Sequence, residues 1–147
     1  MAMIQASDKH SIEVNLPSKI GYERIAIASS AALAKMGGFP VARIEDLKSA
    51  VAEACINAMQ HGNQWRLEAR VVVHMNLSED RVVISVTDQG SGVTELPEYP
   101  GITKIIEGNV SPRGLGVFLI RQLVDDVKYN QTADGGHTMT LEIRLSK

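Results

Sequence analysis

Two runs rich in β-branched residues, 69–77 and 81–87, are separated only by Ser78, Glu79 and Asp80. Three residues cannot carry a crossover. The two strands must therefore lie side by side and antiparallel, as a hairpin. The rest of the chain has to be arranged around that ribbon. Residues 11–17 alternate polar and apolar until Pro17 and predict an opening strand. Residues 138–145 alternate as a closing strand, after a turn at 132–136 and a possible short strand at 126–131.

Three segments carry helical rather than strand periodicity. Residues 19–36 hold Ile20, Ile25, Ile27, Ala28, Ala31, Ala32, Ala34 and Met36 and stop at Gly37 and Gly38. Residues 43–62 place Ile44, Leu47, Val51, Ala54 and Ala58 on one stripe and stop at Gly62 and Asn63. Residues 114–125 carry Val117, Leu119, Ile120, Leu123 and Val124. Between the hairpin and this last helix, residues 89–113 are rich in Gly and Pro, the pattern of an irregular lid. The predicted order is β-α-α-β-β-lid-α-β-β. The most economical arrangement is an α+β two-layer sandwich, a mixed but mostly antiparallel sheet with helices on one face. A length of 147 residues suits a single domain, 1–147.

Bulk properties exclude classes rather than name one. The net charge of −2 lacks the basic footprint of a nucleic-acid binder. No apolar run has membrane-spanning length, and residues 1–10 do not read as a signal peptide, so a cytoplasmic protein is expected. One cysteine, Cys55, leaves no internal disulfide and makes a cysteine metal site implausible.

Several short patterns can carry chemistry, and each has an ordinary reading beside it. Glu53 and Asn57 are four apart on one helix, so they share a face. An amide oxygen there can ligate Mg²⁺, and a carboxylate can take a proton from a hydroxyl. An isolated pair of this kind is more often plain polar surface. His61, one turn on, reads as a helix C-terminal histidine. Asp88, Gly90 and Gly92 end a strand in Asp-x-Gly-x-Gly form, suited to close backbone approach by a flat ligand, with Asp88 accepting from an exocyclic amine. An ordinary turn has the same composition. Arg113, Gly114, Leu115 and Gly116 open a helix, where backbone N–H groups and an arginine can hold phosphate, unless they form only a flexible entry. No Gly-Lys-Ser/Thr is present, so this is not a Walker loop. Thr138, after Gly136 and His137, can support Asp88 through a water or be a simple strand residue.

In this order the patterns resemble the GHKL (Bergerat-fold) ATPases, which include gyrase-type topoisomerases, heat-shock chaperones and histidine kinases. Glu53, Asn57, His61 and Gly62 match the N-box, Asp88, Gly90 and Gly92 the first glycine box, Gly114 and Gly116 the second, and Thr138 the late threonine. The short chain, without a preceding phosphoacceptor domain, is similar to the anti-sigma-factor serine kinases of the RsbW and SpoIIAB type. Glu53 to Gly62 and the helix from Gly114 to Asp125 carry that likeness.

The resemblance implies ATP/ADP and Mg²⁺ as cofactors, with Asn57 on the metal, Glu53 as base and Asp88 on the adenine. The phosphates would lie on Arg113, Gly114 and Gly116. It also implies a homodimer that binds a sigma factor and phosphorylates a STAS-domain anti-anti-sigma protein on serine. In that family an arginine of the first helix meets protein partners, here Arg24. Two other readings stay open: a nucleotide-dependent binding switch without phosphotransfer, and a stressosome-type switch kinase that binds no sigma factor.

Overall fold

The computed structural model describes residues 10–90 and 112–145, without the side chains of residues 112–114. Five strands form one sheet: β1 (Ile12–Pro17), β2 (Arg70–Leu77), β3 (Arg81–Thr87), β4 (Asp126–Gln131) and β5 (His137–Arg144). Three α-helices accompany it: α1 (Glu23–Met36), α2 (Val41–Asn57) and α3 (Pro112–Leu123). A π-helical turn, Ala58–Gly62, continues α2. The predicted lid lies almost wholly outside the described residues.

The strand order is β1-β2-β3-β5-β4, and all four pairings are antiparallel. The expected mixed sheet therefore has no parallel neighbours among the described residues. The reason is parity. Two helices between β1 and β2 return the chain to the end it left, so β2 runs opposite to β1. One helix between β3 and β4 makes those two strands point the same way, but β5 enters between them and separates the parallel pair.

Register lines the inner face with one apolar row after another. Ile12, Met75, Ile84, Leu141 and Val127 form one row, and Val14, Val73, Val86, Met139 and Tyr129 the next. Alternation along β2, β3 and β5 buries every second side chain. The helices cover this face with Ala26, Leu33, Leu47, Val51, Ala54, Val117 and Ile120. Each fully buried valine, leucine or isoleucine among them contributes about 2 kcal/mol. The opposite face is polar, with hydroxyl pairs Ser85–Thr140 and Thr87–Thr138 bridging β3 and β5.

Boundaries differ from the sequence pattern by small amounts. α1 starts at Glu23 rather than 19, because the chain first turns through Gly21, whose φ is +105°. α2 starts at Val41 directly after Pro40, whose extended backbone suits the residue before a helix. Among the described residues no helix is long and apolar enough to cross a membrane.

Cys55 lies fully buried on α2, and burial, reinforced by the Glu23 carboxylate, pushes its thiol up to about 12. The thiol is thus protonated and inert at neutral pH. Labelling with a thiol reagent at pH 8 should proceed only as fast as the protein unfolds. The folded state holds this proton more tightly than the unfolded chain does. Stability should therefore fall as pH rises above about 9, the ordinary value, towards 12. A pH series of denaturant midpoints in the wild type and Cys55→Ala checks this: the decline should be shallower in the variant.

Candidate functional site

The site lies where α2, the π-turn, the start of α3 and the ends of β3 and β5 converge. Glu53 and Asn57 stand on successive turns of α2. They do not face open solvent: Asn57 is 9% exposed and Glu53 half-buried. What faces them is α3. A β-carbon added at Gly116 would sit 2.7 Å from Glu53 Oε2, 3.5 Å from Asn57 Nδ2 and 3.7 Å from Asn57 Oδ1. The Gly116 glycine is therefore a matter of space. Any larger residue would press on the carboxylate and amide.

The expected phosphate-binding amides are placed somewhat differently. α3 begins at Pro112, two residues before the predicted start. Counted from there, the N–H groups left over by the helix ladder fall at Arg113 and Gly114, while Leu115 and Gly116 are about one turn in. Leu115 is exposed at this end of the helix. The side chain of Arg113, and Gly92 altogether, lie outside the described residues.

Asp88 closes the other side of the site. It is 7% exposed, and its backbone N–H donates to the carbonyl of His137 at 2.9 Å. Its Oδ1 accepts from the His137 N–H at 3.2 Å and meets His137 Nδ1 at 3.3 Å. The π-turn passes directly over it. A β-carbon at Gly62 would lie 2.2 Å from both Cγ and Oδ2 of Asp88, so only glycine permits this approach. Gly90, at φ +73°, packs against another backbone rather than standing open: an added β-carbon would meet the Gly135 oxygen at 2.2 Å. Its fit to the Gly135–Gly136 turn locks the Asp88 segment to the start of β5.

Thr138 is not brought to this site. Strand side chains alternate, and Met139, Leu141 and Ile143 take the inner face of β5. His137 therefore points inward and is 1% exposed, while Thr138 points to the outer face and shares its hydroxyl bond with Thr87 at 2.8 Å. His137 is the residue that meets Asp88.

Asn63, which the sequence pattern marks only as a helix stop, is a further residue of the site. It is wholly buried. Its Nδ2 donates to Ser18 Oγ at 2.8 Å and to the Arg70 carbonyl at 2.9 Å, and its Oδ1 accepts from the Gln89 N–H at 2.8 Å. One amide thus ties the end of the π-turn to the residue after β1, to β2 and to the residue after Asp88. Gln64 and Trp65 follow with positive φ (52° and 59°), a conformation uncommon outside glycine. This sharp reversal returns Arg66 to the Asn63 carbonyl and lets it also bond the Gly90 carbonyl, each at 3.0 Å. No sequence pattern announces such a clamp. The only signal is an asparagine at a helix end beside a motif that must be held.

Two walls of different chemistry result. Ala54, Ala58, Val86 and Met139 give an apolar wall beside Asp88, around a space of about 20 Å³. Glu53, Asn57 and the start of α3 give a polar end suited to phosphate. No cluster of three or more His, Cys, Asp or Glu side chains gathers among the described residues. A metal here would have one protein amide oxygen and would take its other ligands from phosphate and water, which suits Mg²⁺.

Residues 16–143 match the family model described as a histidine kinase-like ATPase domain. The serine-protein kinase RsbW of Bacillus licheniformis is 33% identical over 140 residues, covering 92% of this chain and 86% of the relative. The serine-protein kinase RsbW of Listeria innocua is 33% identical over 121 residues, covering 80% and 77%. Among solved structures, the RsbU and RsbW domains of Rv1364c from Mycobacterium tuberculosis align with a TM-score of 0.62 at 23% identity. That alignment covers 93% of this chain and 33% of that longer one, a likeness of fold.

Proposed function

The chain belongs to the histidine kinase-like ATPase domain family, among the RsbW serine-protein kinases, and from that premise we propose that it transfers the γ-phosphate of ATP to a protein serine. The observation that carries the proposal is the placement of Glu53 and Asn57 against Gly116, with Asp88 held under Gly62 on the apolar side. Asp88 accepts the exocyclic amine of adenine. The phosphate chain lies at the opening of α3, on the amides of Arg113 and Gly114, with Leu115 and Gly116 beside it one turn in, where the helix end favours negative charge. Asn57 would hold Mg²⁺, which when bound neutralises charge on the phosphates. Glu53 takes the proton of the serine hydroxyl as that oxygen attacks phosphorus in line. A groove lined by Ser49, Ala52, Leu119 and Leu123 also reaches Glu53, giving a substrate segment a route to the base.

The serine belongs, in this reading, to a STAS-domain anti-anti-sigma protein, and the competing partner is a sigma factor bound by a homodimer in the cytoplasm. Arg24 supports a partner-binding role for α1. It is exposed, and Tyr22 and Ile25 beside it are exposed apolar residues at 41% and 49%. Incubation with MgATP and the STAS protein should yield phosphoserine on the latter. Nucleotide binding without transfer would instead favour a binding switch, and transfer without sigma-factor capture a stressosome-type kinase.

Asp88→Asn keeps the shape but replaces one acceptor oxygen with a donor. It should weaken ATP binding by about 10- to 100-fold, in line with ~1.5–3 kcal/mol for a hydrogen bond to a charged group. Titration calorimetry reads this directly; unchanged affinity would remove Asp88 from nucleotide recognition.

A further inference from the structure

His137 sits at the start of β5, 1% exposed, with both its backbone N–H and its Nδ1 on Asp88 Oδ1. A carboxylate oxygen only accepts, so in the neutral imidazole the hydrogen of this bond is on Nδ1 and Nε2 carries a lone pair. The ring stacks on Tyr129, centroids 5.4 Å apart and planes 13° from parallel, which fixes its orientation. Nε2 is buried and makes no hydrogen bond within the protein, and the same holds for Asn57 Nδ2. Both residues line one small cavity of about 20 Å³, together with Asp88 and Tyr129. A volume of that size accommodates a single water, which needs at least two polar partners. Here one partner is a donor and the other an acceptor.

We propose that His137 is a positioning residue for nucleotide recognition: it fixes the Asp88 carboxylate through Nδ1 and is joined through Nε2, by one water, to the Asn57 amide. Asp88 is then held with its carboxylate set for an incoming amine. Asn57, with Nδ2 on the water, keeps Oδ1 for the metal side. The inference rests on the reading of Asp88 as the adenine acceptor, and it adds a residue that links the base end of the site to its phosphate end.

The test compares ATP with inosine triphosphate, which lacks the exocyclic amine. Wild type should bind ATP at least 10-fold more tightly. His137→Phe preserves the ring stacked on Tyr129 but removes both nitrogens, and should reduce that preference at least 5-fold. His137→Asn restores a donor near Asp88 Oδ1 and should recover most of it. A merely structural role would lower the melting midpoint and leave the preference intact, which would overturn the proposal. If wild type itself shows no preference, the reading of Asp88 fails, independently of how the variants behave. Nitrogen-15 NMR of the wild type supplies a second measurement that requires no variant to fold. It should show the hydrogen on Nδ1 of His137, and a hydrogen on Nε2 alone would overturn the proposal.

Discussion

Glu53→Ala is expected to lower phosphotransfer by about 10²- to 10⁴-fold, the usual contribution of a general base, while ATP affinity changes by no more than about 3-fold. The split follows from geometry. Glu53 stands where the polar end of the site meets an open groove, and the apolar wall around Asp88 lies on the other side of Asn57. Loss of the carboxylate should therefore spare the base pocket. Single-turnover transfer to the proposed STAS-domain substrate, with nucleotide titration on the same samples, measures both quantities. Full transfer in the variant would show that the hydroxyl loses its proton elsewhere. A parallel loss of ATP affinity would show that Glu53 holds the ligand rather than the proton.

The second large effect is expected at a residue with no functional group. Gly62→Ala should reduce nucleotide affinity by more than about 100-fold and lower stability by ~1–3 kcal/mol, the range for overpacking. An added methyl would occupy the space of the Asp88 carboxylate, 2.2 Å from Cγ and Oδ2. Neither backbone can yield easily, because the Asn63 and His137 bonds hold both sides. Gly21→Ala is the appropriate comparison. Its φ is +105° but a β-carbon there meets nothing within 4 Å, so it should cost stability and leave nucleotide affinity intact. Calorimetric binding and denaturant midpoints on both variants check the pair. Equal binding loss in the two would mean that affinity simply follows stability.

Much of the fold could be read from periodicity. The hairpin, the apolar stripe of α2 and the glycine stop after α1 are local patterns, and each element appeared where its pattern placed it. Chain order does not encode which strand inserts where, so the entry of β5 between β3 and β4 was not legible. The π-turn was hidden as well. One extra residue per turn leaves the composition of Ala58–Gly62 looking like ordinary helix.

The site was legible as a set of motifs and less so as a set of contacts. Glu53, Asn57 and Asp88 do converge, as do Gly62 and Gly116, whose part is to leave room. Thr138 shows the limit. Its strand is legible, but the alternation that buries Met139, Leu141 and Ile143 turns Thr138 to the outer face, and His137 takes the inner position. Asn63 shows another limit. Its role depends on three partners brought together from residues 18, 70 and 89, and no local pattern of sequence contains them.

The central position of β5 also has a temporal side. It is synthesised after each of the strands it joins, yet it forms both the middle of the sheet and the His137 contact to Asp88. Until residues 137–144 emerge from the ribosome, β3 has an unpaired edge, β4 is not joined to the sheet and Asp88 has not met His137. The growing chain thus passes through a stage with most of its core residues made but with no competent nucleotide site, and ligand binding can stabilise only the finished protein.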